Sequence, residues 1–107
     1  MGTAGVTDEV LAAARQGDGP ALREVYEWLA PAVLGYLRAK GVTDPDGVTS
    51  DVFLALLPQL PRATGGVPGL RKLAFSIAHA RMVDEHRARA RRPAAVPYEP
   101  DQDTRVA

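Results

Sequence analysis

Apolar residues recur at three- and four-residue intervals along most of the chain, and this spacing predicts helices. The longest stripe predicts a helix that begins after Asp18 and ends at Gly41, with a kink at Pro31. The pattern contains no alternation typical of β-strands and no internal repeat. The apolar positions of this helix, expected to face a core, are Leu22, Val25, Tyr26, Leu29, Val33, Leu34 and Leu37.

Capping residues predict helices on either side of this one. Thr7 and Gly17 are expected to bound a first helix over residues 8–16. Asp44 and Pro45 begin a third helix, which runs to about Leu57 and is ended by the prolines that follow. On the third helix we expect a shared inner face and three positions that point elsewhere. The inner positions are Val48, Val52, Leu56 and Leu60, and the others are Thr49, Asp51 and Ala55.

Residues 62–69 (RATGGVPG) read as a loop, and Pro68 then opens a fourth helix that ends at Pro93. We expect its inner face to turn polar, so that its end projects past the core. The predicted face is Leu70, Leu73, Ala74 and Ile77, continued by Arg81, Asp84 and Ala88.

These elements predict an all-α fold, a compact bundle of about four helices in a single domain. Residues 1–6 are expected to form a flexible N-terminus, and residues 7–92 the helical domain. Residues 93–107 are rich in proline and acidic groups, and we expect a flexible tail or linker there.

The formal net charge of the 107 residues is zero, but the charge is unevenly distributed. Residues 70–92 hold seven basic side chains against two acidic ones, a balance of +5. Residues 1–60 hold eight acidic side chains against four basic ones, a balance of −4. The asymmetry favours one surface for a polyanion and another for a different partner, although a solvated, arginine-rich helix end would give the same pattern.

The sequence shows no enzyme motif: it has no glycine-rich phosphate loop, nucleophile elbow or zinc-protease signature. His79 and His86 lie seven residues apart, about 10 Å along a helix, which is too far for one metal ion, so we expect a solvated or DNA-facing pair. Asp84 and Glu85 are adjacent and therefore point in different directions, so they cannot act as a catalytic pair of carboxylates. With no cysteine and no apolar run near the ~20 residues of a membrane span, we expect a cytoplasmic protein without cofactor or membrane association.

A candidate for nucleic-acid binding lies where residues 62–69 meet the fourth helix. Cations in the first turns of a helix oppose its dipole, so their placement suits an anion or a base rather than helix stability. One ring and small polar groups follow, which could stack on and bond to bases. A plain connection between two helices is the other interpretation. The candidate residues are Arg62, Thr64, Gly65, Gly66, Arg71, Lys72, Phe75, Ser76 and His79.

Three stretches resemble region 2 of extracytoplasmic-function (ECF) sigma factors of the sigma-70 family, in the actinobacterial branch. They read ARQGDGPALREVYEWLAPAVLGYLRAKG, DVFLALLPQLPR and LRKLAFSIAHARMVDEHR, in an order and spacing that match across residues 11–92. The resemblance implies a transcription initiation domain that docks on RNA polymerase core and holds the promoter −10 element. It also implies a region 4 after the tail, and an anti-sigma factor as a further partner.

The resemblance implies roles for particular segments. The segment matching residues 47–55 docks on the clamp coiled coil of the β′ subunit, through Val48, Ser50, Asp51, Leu54 and Ala55. The segment matching residues 62–69 forms the pocket for a flipped base of the −10 element. The helix matching residues 71–81 contacts the non-template strand, which adds Arg81 to the DNA-binding set.

The sequence departs from the family pattern at Gly47, Ser50, Leu73 and Ala80, where an acidic residue, Gln, an aromatic and Asn are usual. The departures at Gly47, Leu73 and Ala80 favour an alternative, a sigma-like module for protein interaction that has lost promoter melting. A second alternative, a helix-turn-helix duplex binder, needs a turn of three or four residues, and residues 62–69 are too many.

Overall fold

Four α-helices and one 3-10 segment make up most of residues 5–91, the part of the chain that the computed structural model describes. The elements are α1 (Asp8–Arg15), α2 (Gly19–Ala39), α3 (Pro45–Leu56), the 3-10 segment (Leu57–Arg62) and α4 (Gly66–Arg91). No strand occurs in this range. The all-α prediction and the number of helices are therefore confirmed, whereas the tail predicted for residues 93–107 lies outside the described residues.

Side-chain caps begin the first three helices, as their sequences predict. Thr7 accepts a hydrogen bond from the Val10 backbone N–H at 3.1 Å, and Asp18 accepts one from Ala21 at 2.9 Å. Asp44 accepts one from Gly47 at 3.1 Å. Each bond satisfies a donor that the first turn of a helix leaves free, which fixes where the helix starts.

The sequence predicts a flexible N-terminus over residues 1–6, and the structure corrects this prediction at Val6. Val6 is buried and packs in the same core cluster as Leu11 on α1. Val6 precedes the Thr7 cap and Leu11 lies in the fourth helical position, which is the arrangement of a hydrophobic staple. Ordered packing therefore begins before α1.

The core consists of two clusters that share α2 along their length. The first joins α1, the N-terminal half of α2, the end of α3, the 3-10 segment and the start of α4; the second joins the C-terminal half of α2 to α3 and α4. Tyr26, predicted for the core, is 47% exposed and meets Phe53 edge to face at 4.8 Å. The α2 residues that are almost fully buried are Ala21, Val25, Leu29, Val33 and Leu37.

On α3 the predicted faces are partly wrong. Thr49, expected to point away from the core, is buried, and its hydroxyl donates to the Pro45 carbonyl at 2.7 Å. That bond satisfies the hydroxyl inside the helix, so the residue tolerates burial. Phe53 is also buried, whereas Leu54 is 72% exposed.

The loop predicted for residues 62–69 is shorter in the structure. The 3-10 segment extends to Arg62 and α4 begins at Gly66, so only residues 63–65 lack helical structure. Pro58 and Pro61 are compatible with a 3-10 segment because they end α-helical hydrogen bonding without forcing the chain to extend. Pro68 lies in the first turn of α4, where its missing N–H is tolerated.

The buried face of α4 also differs from the prediction. The buried positions are Leu70, Ala74, Ala78 and Met82, at steps of four residues. Arg81 and Asp84, which the predicted face included, are exposed. The core contact therefore continues one turn further than predicted, as far as Met82. Within residues 5–91 no helix is both long and apolar enough to cross a membrane.

Two leucines that lie two positions apart on α3, and so on different sides of the helix, provide a test of this packing. Leu56 is fully buried and Leu54 is 72% exposed. We expect Leu56→Ala to lower the free energy of unfolding by about 2–5 kcal/mol, because it removes contacts and leaves a cavity. Leu54→Ala, the matched control, should change it by no more than about 0.5 kcal/mol. Urea denaturation followed by circular dichroism measures both, and equal losses would contradict the assigned faces of α3.

Candidate nucleic-acid interface

An open cavity of about 570 Å³ lies where the 3-10 segment meets the start of α4. Five of the residues predicted to bind DNA line it, and they bring two cations and two hydroxyls to the same space. The lining residues are Gln59, Arg62, Ala63, Thr64, Gly65, Gly69, Lys72, Leu73 and Ser76. The structure thus brings Arg62, Thr64, Gly65, Lys72 and Ser76 together, as the sequence predicts.

Glycines shape the turn that forms this cavity. Gly65 and Gly66 have φ angles of +87° and +64°, a region that side chains disfavour. Gly69 lies so close to Thr64 that a Cβ atom added to it would overlap the Thr64 carbonyl oxygen. The Gly69 N–H also donates to the Gly65 carbonyl at 3.0 Å. These contacts hold the chain in a tight turn, in contrast to the flexible loop that its composition predicts.

The charge around the cavity is positive. Arg62 and Lys72 are exposed on two of its sides, and the first turn of α4 contains no acidic residue. Thr64 and Ser76 are exposed as well, so their hydroxyls are accessible to a ligand. Two cations, two hydroxyls and the apolar side chain of Leu73 fit a planar group with polar edges attached to an anionic backbone.

Four residues of the cavity were not among the predicted site residues: Gln59, Ala63, Gly69 and Leu73. Gln59 comes from the 3-10 segment, and its side-chain amide donates to the Ala55 carbonyl at 3.0 Å. A sequence signal existed only for Gly69, which closes a Gly-Gly-Val-Pro-Gly run at a helix start. Leu73 was assigned to the core, and the half-buried side chain in fact contributes to both core and cavity.

The other predicted DNA-binding residues lie outside the cavity. Gly66 belongs to the turn, and Arg81 is exposed further along α4. Phe75 is half-buried and already contacts Tyr36 edge to face, with ring centroids 5.7 Å apart. The Arg71 guanidinium lies 5.0 Å from the Phe75 ring centroid, and His79 Nδ1 lies 3.0 Å from the Tyr36 hydroxyl. Phe75 is therefore not the free stacking ring that the sequence suggests.

The residues predicted to bind polymerase divide into two groups on α3. Ser50, Asp51 and Leu54 are exposed, whereas Val48 and Ala55 are half-buried, with Val48 packed on the second core cluster. Leu57, just past the end of α3, is 41% exposed and adds apolar surface. Ser50 also borders a groove of about 450 Å³ between α2 and α3, whose lining includes Tyr26, Glu27, Pro31 and Leu34.

The C-terminal part of α4 is fastened to the turn between α2 and α3. His86 Nε2 lies 2.8 Å from the Lys40 carbonyl oxygen and its side chain is 38% exposed, so one ring nitrogen of His86 is engaged within the fold. The Thr43 N–H donates to Glu85 Oε2 at 3.3 Å, and Arg89 Nε lies 3.3 Å from Glu85 Oε1. Arg89 also donates to the Gly41 carbonyl at 3.2 Å.

The environment of Glu85 lowers its pKa below the usual 4.5. Partial desolvation acts in the opposite direction and raises the pKa. It is outweighed by the hydrogen bonds from Thr43 and by the positive charges of Arg89 and His86. No group of three or more His, Cys, Asp or Glu side chains among residues 5–91 is placed to hold a metal ion.

The fold and the cavity define a small helical domain with a cavity lined by two cations, and its sequence is similar to ECF RNA polymerase sigma factors. Relatives named SigD, from Mycobacterium bovis and from two strains of Mycobacterium tuberculosis, are 41% identical over 91 residues, which covers 78% of this chain. The resemblance drawn from the sequence is confirmed. The chain spans 42% of the length of these relatives. No family model and no solved structure matches the chain.

The Glu85 contacts predict how acid affects stability. Because the pKa of Glu85 is lower in the folded chain than in the unfolded chain, the carboxylate stabilises the fold above about pH 4.5. This contribution is lost as the pH falls through the folded-state pKa. We expect Glu85→Gln to be less stable than the unchanged chain near neutral pH, and the difference to shrink below about pH 4.5.

Thermal unfolding over a pH series measures this difference. The control is Asp84→Asn, which removes a carboxylate from the exposed neighbouring position and should shift the free energy of unfolding by no more than about 0.5 kcal/mol. A Glu85→Gln chain that matches the original at every pH would show that these contacts do not stabilise α4.

Proposed function

We propose that this chain is the region 2 domain of an ECF sigma factor, which docks on RNA polymerase core and recognises and melts the promoter −10 element. The observation that carries the proposal is the cavity at the start of α4. The family resemblance assigns a flipped-base pocket to residues 62–69, and the cavity is lined by Arg62, Thr64 and Gly65 from this segment. Sequence similarity to the SigD proteins supports the same role independently of the cavity.

The cavity has the dimensions and the chemistry to hold one unstacked base. Its volume of about 570 Å³ lies within the ~300–1,000 Å³ range of small-ligand sites. Thr64 and Ser76 hydroxyls can bond to base edges, and Leu73 offers an apolar surface to the base face. Arg62 and Lys72 can contact the flanking phosphates. Unstacking a base costs a few kcal/mol, and capture in such a pocket offsets that cost.

The strand is proposed to continue along α4. Arg71, Ser76, His79 and Arg81 are all exposed between the cavity and the second half of the helix, with Arg81 on a different side of the helix from His79. The non-template strand is the proposed ligand on this surface. The basic C-terminal end of α4, with Arg87 and Arg91 exposed, would face the DNA backbone beyond the melted segment.

The outward face of α3 is proposed to dock on the β′ clamp coiled coil. Ser50, Asp51 and Leu54 share this face and are exposed, and a 72% exposed leucine beside a carboxylate fits a mixed apolar and ionic contact. Asp51 would pair with a cation on the coiled coil. Val48 and Ala55, being half-buried, would support this face more than contact the partner.

Two other functions are weaker on these observations. A protein-interaction module without promoter melting would use the exposed Leu54 and Leu57, but it gives no role to the basic cavity. Loop length does not exclude a helix-turn-helix protein, because only residues 63–65 separate the elements. The element before this turn, however, is a six-residue 3-10 segment, so the chain has no pair of α-helices joined there.

The proposal implies a non-enzymatic transcription factor that acts in the cytoplasm. Its partners would be RNA polymerase core and the non-template strand of the −10 element. An anti-sigma factor that covers the α3 face or the cavity would be the regulatory partner.

Removing a cation from the cavity tests strand binding. We expect Lys72→Gln to weaken binding of a short single-stranded DNA of mixed sequence, and to reduce the slope of log affinity against log salt by about 0.7. Arg62→Gln should act in the same way. Fluorescence anisotropy of a labelled strand over a salt series gives both quantities.

Arg23→Gln is the matched control for these variants. Arg23 is exposed on α2 and lies two residues from both Ala21 and Val25, so it points away from the core face of that helix. This variant loses the same charge and should keep both affinity and slope. Equal behaviour of Lys72→Gln and Arg23→Gln would contradict a strand site in the cavity.

Charge reversal at Asp51 tests polymerase docking. We expect Asp51→Arg to abolish retention of the chain by an immobilised fragment of the β′ clamp coiled coil, because an attractive contact becomes a repulsive one. Glu24→Arg, an equal reversal at an exposed position of α2, is the control and should still bind. Binding of Asp51→Arg at the level of the original chain would remove Asp51 from the docking surface.

A further inference from the structure

Two neighbouring aromatic rings, each with a cation on its outer side, form a row from α4 to α2. The ring centroids of Tyr36 on α2 and Phe75 on α4 are 5.7 Å apart, with the ring planes at 86°. The Arg71 guanidinium lies 5.0 Å from the Phe75 centroid, and Lys40 Nζ lies 5.7 Å from the Tyr36 centroid. We call these four residues the cation–aromatic row.

Packing accounts for the two rings but not for the two cations. Tyr36 and Phe75 are half-buried and pack against the second core cluster. Arg71 and Lys40 are exposed, and within residues 5–91 neither makes an ion pair. Two unpaired cations held over aromatic faces retain their charge for an outside anion, since a cation–π contact leaves the positive charge unneutralised.

The Tyr36 hydroxyl connects the row to a predicted DNA-binding residue. It lies 3.0 Å from His79 Nδ1, across the interface of α2 and α4. When the hydroxyl donates to Nδ1, the imidazole carries its proton on Nε2, where it can donate to a base or phosphate. In that arrangement Tyr36 would hold the His79 ring through Nδ1 and leave the Nε2 proton free for another acceptor.

The row begins beside the cavity at the start of α4. Arg71 and Lys72 are consecutive in the first turns of the helix and both are exposed, but their side chains leave it about 100° apart and only Lys72 lines the cavity. From Arg71 the row leads by way of Phe75 and Tyr36 to Lys40, at the C-terminal end of α2. A strand whose base enters the cavity could thus continue over these side chains without leaving a positive, ring-bearing surface.

We propose that the C-terminal end of α2 is part of the single-strand binding surface, with Lys40 as a phosphate contact and Tyr36 as a positioning residue for His79. This inference rests on the proposed strand binding of α4 and extends it to a second helix. The ligand is single-stranded DNA, recognised through its phosphates and the faces of its bases and therefore with little dependence on sequence.

Lys40→Gln tests the phosphate contact in the same anisotropy assay with mixed-sequence strands. The variant is expected to bind several-fold more weakly, with the salt slope reduced by about 0.7, while Arg23→Gln is unchanged. A Lys40→Gln chain that keeps both affinity and slope, when Lys72→Gln loses both, overturns the inference and leaves the cavity proposal intact. If the original chain does not bind single strands, both proposals fail.

Tyr36→Phe tests the positioning role, because it keeps the ring and removes only the hydroxyl. The variant should bind more weakly in the original chain, yet have no further effect in a chain that carries His79→Ala. This non-additivity is expected if Tyr36 acts through His79. Equal losses in both backgrounds, or no loss in either, would contradict it, and an unchanged melting temperature shows that the fold is retained.

Discussion

Two alanines in the middle of α4, Ala74 and Ala78, have no exposed surface, and they determine how closely this helix can approach α2 and α3. Between Leu70 and Met82 the buried face of α4 therefore consists of small side chains at four-residue steps. Small side chains allow two helices to pack closely, and the larger side chains on either side of them then lie at the edge of the interface. Because of this close approach, Tyr36 on α2 reaches Phe75 and His79, and the α2–α3 turn reaches Glu85.

The two ends of α4 are fixed by different means. At its start, Gly69 packs on the Thr64 carbonyl, and the resulting turn opens a cavity between Arg62 and Lys72. At its end, Glu85 and His86 bond to the turn between α2 and α3. A helix held at both ends presents its outer face as a rigid surface. Rigid presentation lowers the entropy that is lost when a flexible strand binds.

The helices and most of their caps could be predicted from the sequence because both depend on local patterns. The stripe of α2 and the caps at Thr7, Asp18 and Asp44 are examples. The face of α4 could not be predicted, because the average period of 3.6 residues leads to Arg81, whereas packing across two helices follows four-residue steps to Met82. Burial of Thr49 depends on a hydroxyl bond to the backbone that periodicity does not indicate.

For the candidate site, glycine and charge patterns identified the segment but not the shape of the turn or the contribution of α2. Gln59 reaches the cavity from the 3-10 segment and Leu73 reaches it from α4, and local sequence patterns do not indicate that these two elements meet there. Tyr36 and Lys40 carry no local signal, since their relation to Phe75 and His79 arises from contacts between residues about 40 positions apart. Long-range contacts of this kind become visible only in the folded chain.

Chemical-shift mapping by NMR would show whether the cavity at the start of α4 binds an unstacked base. Isotope-labelled chain would be titrated with short single-stranded DNA of mixed sequence, and with the corresponding duplex. We expect the single strand to shift the backbone signals of Thr64, Gly65, Lys72 and Ser76 more than those of α1, and the duplex to shift them less. Shifts that are confined to the C-terminal end of α4, or equal for both forms of DNA, would contradict it.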